Sequence, residues 1–397
     1  MQLSFRFIVM LLLLLTLSGC WDRTEIEDVG FIMGIGLDPV QDDEQSKQQT
    51  NNQKPRTYKF RSTYQMAVPS KIGSQGAGQK GQPFFTITED GSTNFKQVRN
   101  IAARTSRKPN FEHLKVLLVN QELARDGILK PMFDFYLRDH EMRRHTQIYI
   151  SSAPTIDILK IKLPLAEILA QSLYEMGENY SLVLEEIEPT DVGTISEQVI
   201  GERSFLISRI LLEGEERVKL TGAAIFNGYS GKMVGWLGGK DIIGYNFISG
   251  QGLNGVLELD FKGNKVNFEV LNNKTVISYE KKNDKDTFSV EINVEGALGE
   301  SWAYEVPVSE EKMIKELEKS VVKEIKDHVT AVVDKMQQEF HSDIFDLHNK
   351  VRTSDYRYWQ KAKKDWDKEN GGFAKSEINV KVHVTIRHYM LNERMED

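Results

Sequence analysis

A stripe of apolar residues at helical spacing near the carboxyl end constrains this chain most. Met313, Leu317, Val321, Ile325, Val329, Val332, Met336 and Phe340 recur at steps of three or four. The spacing predicts a helix over 309–340, with Ser309 as N-cap and Glu310 and Glu311 in a first turn whose dipole favours acids. At about 1.5 Å per residue it spans roughly 48 Å, so its apolar face needs a long surface to cover. A core-facing helix lying across a sheet is the commoner solution, a coiled coil the sharper one. Strand signals flank it. Lys265 to Glu280 and Thr287 to Glu295 alternate around a Lys/Asn/Asp turn at 281–286, and Ile378, Val380, Val382, Val384 and Ile386 alternate again. The intervening helices supply the crossover length that would let this last strand return beside Thr287 to Glu295.

The rest of the chain mixes the two periods. Val29 to Leu37 is an apolar, Gly-spaced run; Tyr58, Phe60, Ser62, Tyr64 and Met66 alternate as a half-buried strand, and Phe84 to Thr88 completes a hairpin with it. Polar segments at 41–55 and 72–83 read as surface loops. Asn94 to Ser106 has helical spacing through Phe95, Val98, Ile101 and Ala102, Leu114 to Val119 is a strand leading to a helix that stops near Gly127, and a helix over 131–137 precedes the strand 147–150. Helical stretches follow at 156–174 and 195–200, then strands at 220–226 and 233–237 about a Gly-Tyr-Ser-Gly turn. The expected class is α+β (mixed α/β), with mixed or antiparallel sheets flanked by helices. Three domains are expected after a leader at 1–19: an N-terminal mixed α/β domain over 20–212, a middle β-rich domain over 213–262, and a C-terminal α/β domain over 263–397. With 397 residues, two or three domains fit roughly 100 to 200 residues each.

Composition excludes several function classes. A mean hydropathy of −0.42 is wrong for a polytopic membrane protein, and 51 basic against 58 acidic residues give the wrong sign for a nucleic-acid binder. The apolar run Phe7 to Leu17 is 11 residues long, too short to cross a hydrocarbon core, and reads as a signal peptide. The single cysteine stands directly behind it, and one thiol cannot supply a disulfide within the chain, a Cys-based zinc site or a cluster. Leu17-Ser18-Gly19-Cys20 resembles the lipobox of bacterial lipoproteins. That resemblance implies cleavage between Gly19 and Cys20 and lipidation of Cys20, and attached acyl chains would hold the body to a membrane by partition.

Fragments that look catalytic fail on spacing. Gly76-Ala77-Gly78-Gln79-Lys80-Gly81 matches a dinucleotide fingerprint but precedes a strand, so no helix N-terminus is at hand for pyrophosphate. His140 and His145 are five apart, about 140° round a helix, where a zinc-protease motif needs four. Gly228-Tyr229-Ser230-Gly231 lacks the elbow spacing of a serine hydrolase. No enzyme, metal or cofactor is implied. A second helix is expected around Tyr356 to Asp367, and Trp359 and Trp366, seven apart on one face of it with Lys361, Lys363, Lys364 and Lys368 around them, are either a candidate partner surface or core packing.

Gly19-Cys20-Trp21-Asp22-Arg23, Glu25-Ile26 and Gly34-Ile35-Gly36-Leu37-Asp38 open a series of blocks. The series continues with Leu123 to Ile128, Arg138 to Glu141, Leu220 to Phe226, Val234 to Leu237 and Ser342 to Phe345. In this order behind a lipobox, they resemble the C-subunit lipoproteins of spore germinant receptors, the Ger(x)C family. Asp346-Leu347 departs from relatives that continue with Gly and an aromatic residue. The resemblance implies a three-domain lipoprotein on the outer face of the inner spore membrane, with no enzymatic role, working with integral-membrane A and B subunits. It locates no small-molecule pocket. The competing expectation is a substrate-binding lipoprotein of an ABC importer, built from two doubly wound lobes. An extracytoplasmic enzyme would need a clustered polar site.

Overall fold

The computed structural model describes residues 25–40, 59–72, 82–139, 141–163, 167–214, 216–251, 254–301 and 311–387. Gly19 and Cys20, the loop 41–55 and the glycine-rich segment 76–81 lie outside them. The first part of the chain runs β1 (Val29–Pro39), β2 (Phe60–Ala67), β3 (Phe84–Gly91), α1 (Asn94–Ala102), β4 (Lys108–Asn110), β5 (Val116–Asn120), α2 (Gln121–Asp126), α3 (Leu129–Arg138), β6 (Gln147–Ser151), α4 (Thr155–Leu159), α5 (Leu169–Glu178), α6 (Val192–Ile200), β7 (Phe205–Glu213), β8 (Arg217–Asn227) and β9 (Lys232–Leu237). These strands form one nine-stranded mixed sheet in the order β3-β2-β1-β5-β6-β7-β8-β9, with β4 beside β1. Its centre is parallel from β1 to β7, and antiparallel pairs flank it.

All five residues of β5 are buried, as a parallel strand covered on both faces must be. Leu117 and Val119 face the cluster formed with α1, α2, α3 and α6, whereas Val116 and Leu118 face α4 and α5. β2 is also covered on both faces rather than half-buried. Gln65 donates to the Leu159 carbonyl at 2.7 Å and accepts from the Ala170 amide at 3.1 Å, tying α4 and α5 to the sheet. Gly36 permits the close approach, since a Cβ there would lie 2.3 Å from Thr155 Oγ1.

The second part comprises α7 (Gly239–Ser249), β10 (Val256–Phe261), β11 (Asn264–Lys282), β12 (Lys285–Ser301), α8 (Glu311–Lys335), a π-helical turn (Met336–Phe340), α9 (Leu347–Ser354), α10 (Tyr356–Ala362), α11 (Gly372–Lys375) and β13 (Glu377–Ile386). The strands make a four-stranded sheet in chain order, antiparallel except for β12 and β13, which run parallel with Phe288 opposite Ile378. α8 carries the apolar stripe into this sheet: Leu317, Val321, Ile325, Val329, Val332 and Met336 are all buried. The helix faces a core and does not extend as a coiled coil.

Structure and sequence reading differ in four further places. Residues 213–262 build no sheet of their own, because β8 and β9 pair onto β7 in the large sheet and β10 pairs onto β11 in the small one. The same segment contains α7, an unpredicted helix buried through Ile242, Ile243, Phe247 and Ile248. Because it is apolar on several sides, it shows no single-face period. Gly244 sits so close to α8 that a Cβ would meet the His328 carbonyl oxygen at 2.3 Å. The stretch 156–174 is two helices, α4 and α5, with Pro164 in the sequence between them, where a helix interior would lose a donor. The terminal helix expected through Asp367 ends at Ala362. The protein is therefore mixed α/β with two mixed sheets flanked by helices, and the two doubly wound lobes of an importer lipoprotein are not what these strands build.

Candidate functional site

A dense polar cluster lies where the two sheets meet. After the π-turn the chain passes His341, held at a left-handed φ of 50°, and enters Ser342-Asp343-Ile344-Phe345. Asp343 is 1% exposed. Its Oδ1 accepts from the amides of Phe345 (3.2 Å) and Leu347 (3.1 Å), and its Oδ2 accepts from the His348 amide (2.7 Å) and the Trp366 indole N–H (2.9 Å). It thereby serves the orphan amides at the start of α9. The His348 ring lies between Asp343 and Asp346, at 3.4 and 3.3 Å.

The cluster continues across the seam. Asp367 accepts from the Asp343 amide at 2.8 Å and from Ser204 Oγ at 2.7 Å, and Ser204 Oγ itself accepts from the Gly228 amide at 2.9 Å. Asn227 donates to Ser342 Oγ at 2.8 Å and to the Asp367 carbonyl at 2.9 Å. Burial, and then the nearby Asp343 carboxylate, push Asp367 up to about 6 against the favourable pull of its donors. Ser204, Asn227 and Gly228 flank the strands of the large sheet, whereas Ser342, Asp343 and Asp367 belong to the small-sheet region. The arrangement fixes one region against the other; it offers no activated nucleophile.

The two tryptophans, read as either a partner surface or core packing, differ in burial but touch each other. Trp366 is 2% exposed and lies in the core, so it presents no surface to a partner. Trp359 is half-buried, its ring tilted at 32° against His348 with centres 5.5 Å apart and meeting Trp366 edge-on at 5.7 Å. Lys368 Nζ lies over the Tyr229 ring at 4.3 Å instead of framing the tryptophans.

The glycine-rich block of β1 ends in a second buried carboxylate. Asp38 accepts from the Thr155 amide and hydroxyl, each at 2.7 Å, and from the Ile156 amide at 3.1 Å, capping α4. Trp236 donates to Gln121 at 3.2 Å beneath the Arg209 guanidinium, 4.5 Å from the ring centre. Burial raises Glu186 to about 7, with Lys219 opposing the shift. Within the ordered blocks, Asp38 and Trp236 thus dock helices on strands.

Among the described residues there is a groove of a size to hold a ligand. It opens between α1 and α3, has a volume of about 660 Å³, and is walled by Phe60, Phe95, Ile128, Met132 and Phe135. Phe95 is 57% exposed and meets Phe135 edge-on at 6.5 Å, and the Arg99 guanidinium covers its ring at 5.1 Å. Arg138 and Asp134 pair at 2.6 Å on the rim. Sequence reasoning placed Phe95 on the periodic face of α1 and missed the groove, because α1 and α3 are brought together only by the sheet. Among the described residues no group of three His, Cys, Asp or Glu side chains could hold a metal, and no helix is long and apolar enough to cross a membrane.

This two-sheet architecture has a solved likeness. The crystal structure of the GerBC protein superposes with a TM-score of 0.59 over 91% of this chain and 99% of that one, at 22% identity. The profile of the spore germination protein N-terminal domain matches residues 22–212, and that of spore germination B3/GerAC-like proteins, C-terminal, matches 221–390. The chain belongs to this spore germination family, the Ger(x)C proteins. Among its relatives in Bacillus subtilis (strain 168), it is 29% identical to spore germination protein A3 over 98% of both chains. It is 27% identical to spore germination protein YndF over 96% of both, and 26% identical to spore germination protein B3 over 92% of this chain and 94% of that one.

Proposed function

We propose that this chain is a non-enzymatic lipoprotein subunit of a spore germinant receptor, needed with integral-membrane A and B subunits for nutrient-triggered germination. The single observation that carries this is the pair of family matches, which run in order through 22–212 and 221–390. Cys20 holds the lipid after cleavage behind Gly19, and the body sits on the outer face of the inner spore membrane. β1 begins at Val29, nine residues beyond Cys20, which leaves little chain for a stalk. The buried carboxylates of Asp38 and Asp343 are saturated by amide, hydroxyl and indole donors, which suits a scaffold that transmits contacts better than a site that turns over substrate.

The test is germinant-triggered dipicolinate release from spores lacking the gene, with paralogous receptors deleted and a non-nutrient trigger as control. Loss of one nutrient response with survival of the non-nutrient route supports the receptor role; a normal response to every nutrient refutes it. Cys20→Ala, followed by membrane fractionation, then tests the anchor: the protein should leave the membrane fraction.

A further inference from the structure

We propose that the exposed basic segment 356–364, α10 and the two residues after it, lies on an anionic phospholipid surface beside the point where Cys20 ties the chain to the bilayer. This placement rests on the reading of Cys20 as a lipid anchor, and adds which face of the protein meets the lipid and through which residues.

The tether limits which surface can reach the membrane. Glu25 is five residues beyond Cys20, so at most about 18 Å of chain separates them. From Glu25 the short turn Ile26–Asp28 leads into the amino end of β1, and the other end of β1, at Pro39, lies roughly 33 Å further on. β1, β5, β6 and β7 are neighbours that run parallel. The start of β7, at Phe205, therefore falls on the same edge of the large sheet as the start of β1, three strand spacings or about 14 Å across.

The basic segment joins that edge from across the seam. Ser204, next to Phe205, donates to Asp367, and Lys368 lies over Tyr229 in the turn between β8 and β9. The run from Tyr356 to Lys364 ends three residues ahead of Asp367 and holds Arg357, Lys361, Lys363 and Lys364 with no acid. All four basic side chains are exposed, as is Tyr356 at 63%.

The acids that bracket the run are engaged. Asp355 accepts from the Tyr358 amide at 2.9 Å, and Asp365 pairs with Lys368 at 2.6 Å. The β11–β12 hairpin tip alongside, where Lys281 lies over the Tyr358 ring, is balanced: Lys281, Lys282 and Lys285 stand against Glu280, Asp284 and Asp286. The excess charge is thus that of the run itself. Each Lys or Arg within a Debye length of an anionic leaflet, about 8 Å at physiological salt, strengthens attraction about fivefold. Tyrosine beside such charges suits the headgroup layer.

The test uses the lipidated full chain in vesicles of phosphatidylcholine, alone or mixed with phosphatidylglycerol. With Cys20 carrying the lipid, Gln360→Cys or Val256→Cys supplies the single reactive thiol for a fluorophore. Gln360 is exposed within the run, whereas Val256, 52% exposed, lies opposite Glu269, roughly 40 Å along β11 from Lys281. Quenching by a headgroup-linked nitroxide lipid should be at least about threefold stronger at position 360 than at 256 when phosphatidylglycerol is present. Added salt, phosphatidylcholine alone, or the combined Arg357→Gln, Lys361→Gln and Lys363→Gln substitutions should each remove most of that difference, with circular dichroism unaltered. Equal quenching at the two positions in a chain that floats with the vesicles overturns the proposal and leaves the anchor intact, and so does a difference that survives the three substitutions. A free Cys20 thiol without flotation removes the anchor and the proposal with it. A label at position 360 shielded in native spore membranes but not in vesicles assigns this surface to a protein partner and overturns the lipid assignment.

Discussion

Replacing Asp343 by alanine tests whether the seam between the two sheets is held by this carboxylate. The substitution removes the acceptor from four donors, the amides of Phe345, Leu347 and His348 and the Trp366 indole N–H. Each enclosed donor left without a partner costs about 1 kcal/mol or more, so the gross loss is about 4 kcal/mol. One effect opposes it: the Asp343 charge helps to raise the Asp367 pKa, and its removal relieves that repulsion. A net loss of about 3 kcal/mol is therefore expected, large against a typical domain stability of about 5 to 15 kcal/mol. Asp343→Asn keeps one acceptor oxygen but turns an N–H₂ toward two of the donors, and should fall between alanine and the parent. Urea unfolding followed by tryptophan fluorescence is the assay, since Trp366 reports directly on the knot. A loss below about 1 kcal/mol for Asp343→Ala, or an asparagine variant as stable as the parent, refutes the claim that the carboxylate organises the seam.

Two further outcomes follow from the same structure. Gly36→Ala places a Cβ 2.3 Å from Thr155 Oγ1, so α4 must shift and the Asp38 cap must weaken; a loss of about 2 kcal/mol in urea unfolding is expected, and a neutral effect would show that α4 moves freely. Asp367 and Glu186 both have folded-state values raised by burial, to about 6 and about 7. Across the window above the ordinary carboxylate range the native state binds these protons more tightly than the unfolded chain does. Their contribution is thus complete at acid pH and is lost as pH rises through about 6 to 7. Urea midpoints measured from pH 4 to pH 8 should fall less steeply in Asp367→Asn than in the parent; an identical slope would remove Asp367 as a source.

Much of the secondary structure was legible because it is a property of short windows. The stripe of α8, the alternation of β13 and the hairpin of β2 with β3 each arise from a repeat that a single element must satisfy. The Trp359 and Trp366 spacing was legible too, but it assumed a helix that stops at Ala362, so their common face never forms. The groove left no trace in the sequence, since Phe95, Arg99 and Phe135 are ordinary amphipathic helix residues until α1 and α3 lie side by side. Asp343 and Asp367 read as two acids among 58 in the chain, and only burial beside Ser204 and Asn227 distinguishes them.

By itself the sequence determined the segments that carry a clear period, such as the stripe of α8 and the alternation of β13, and its ordered blocks marked the family, because periodicity and turn chemistry act locally; α7, apolar on several sides, left no such signal. Tertiary structure alone decided that β8 and β9 extend the first sheet while β10 joins the second, so that the strands within 213–262 are divided between the two sheets. The reason is that strand pairing is satisfied equally well by any compatible edge. Which edge is chosen depends on the whole buried surface, here the shared core that sets Leu206, Ile225 and Leu237 against α7 and α8.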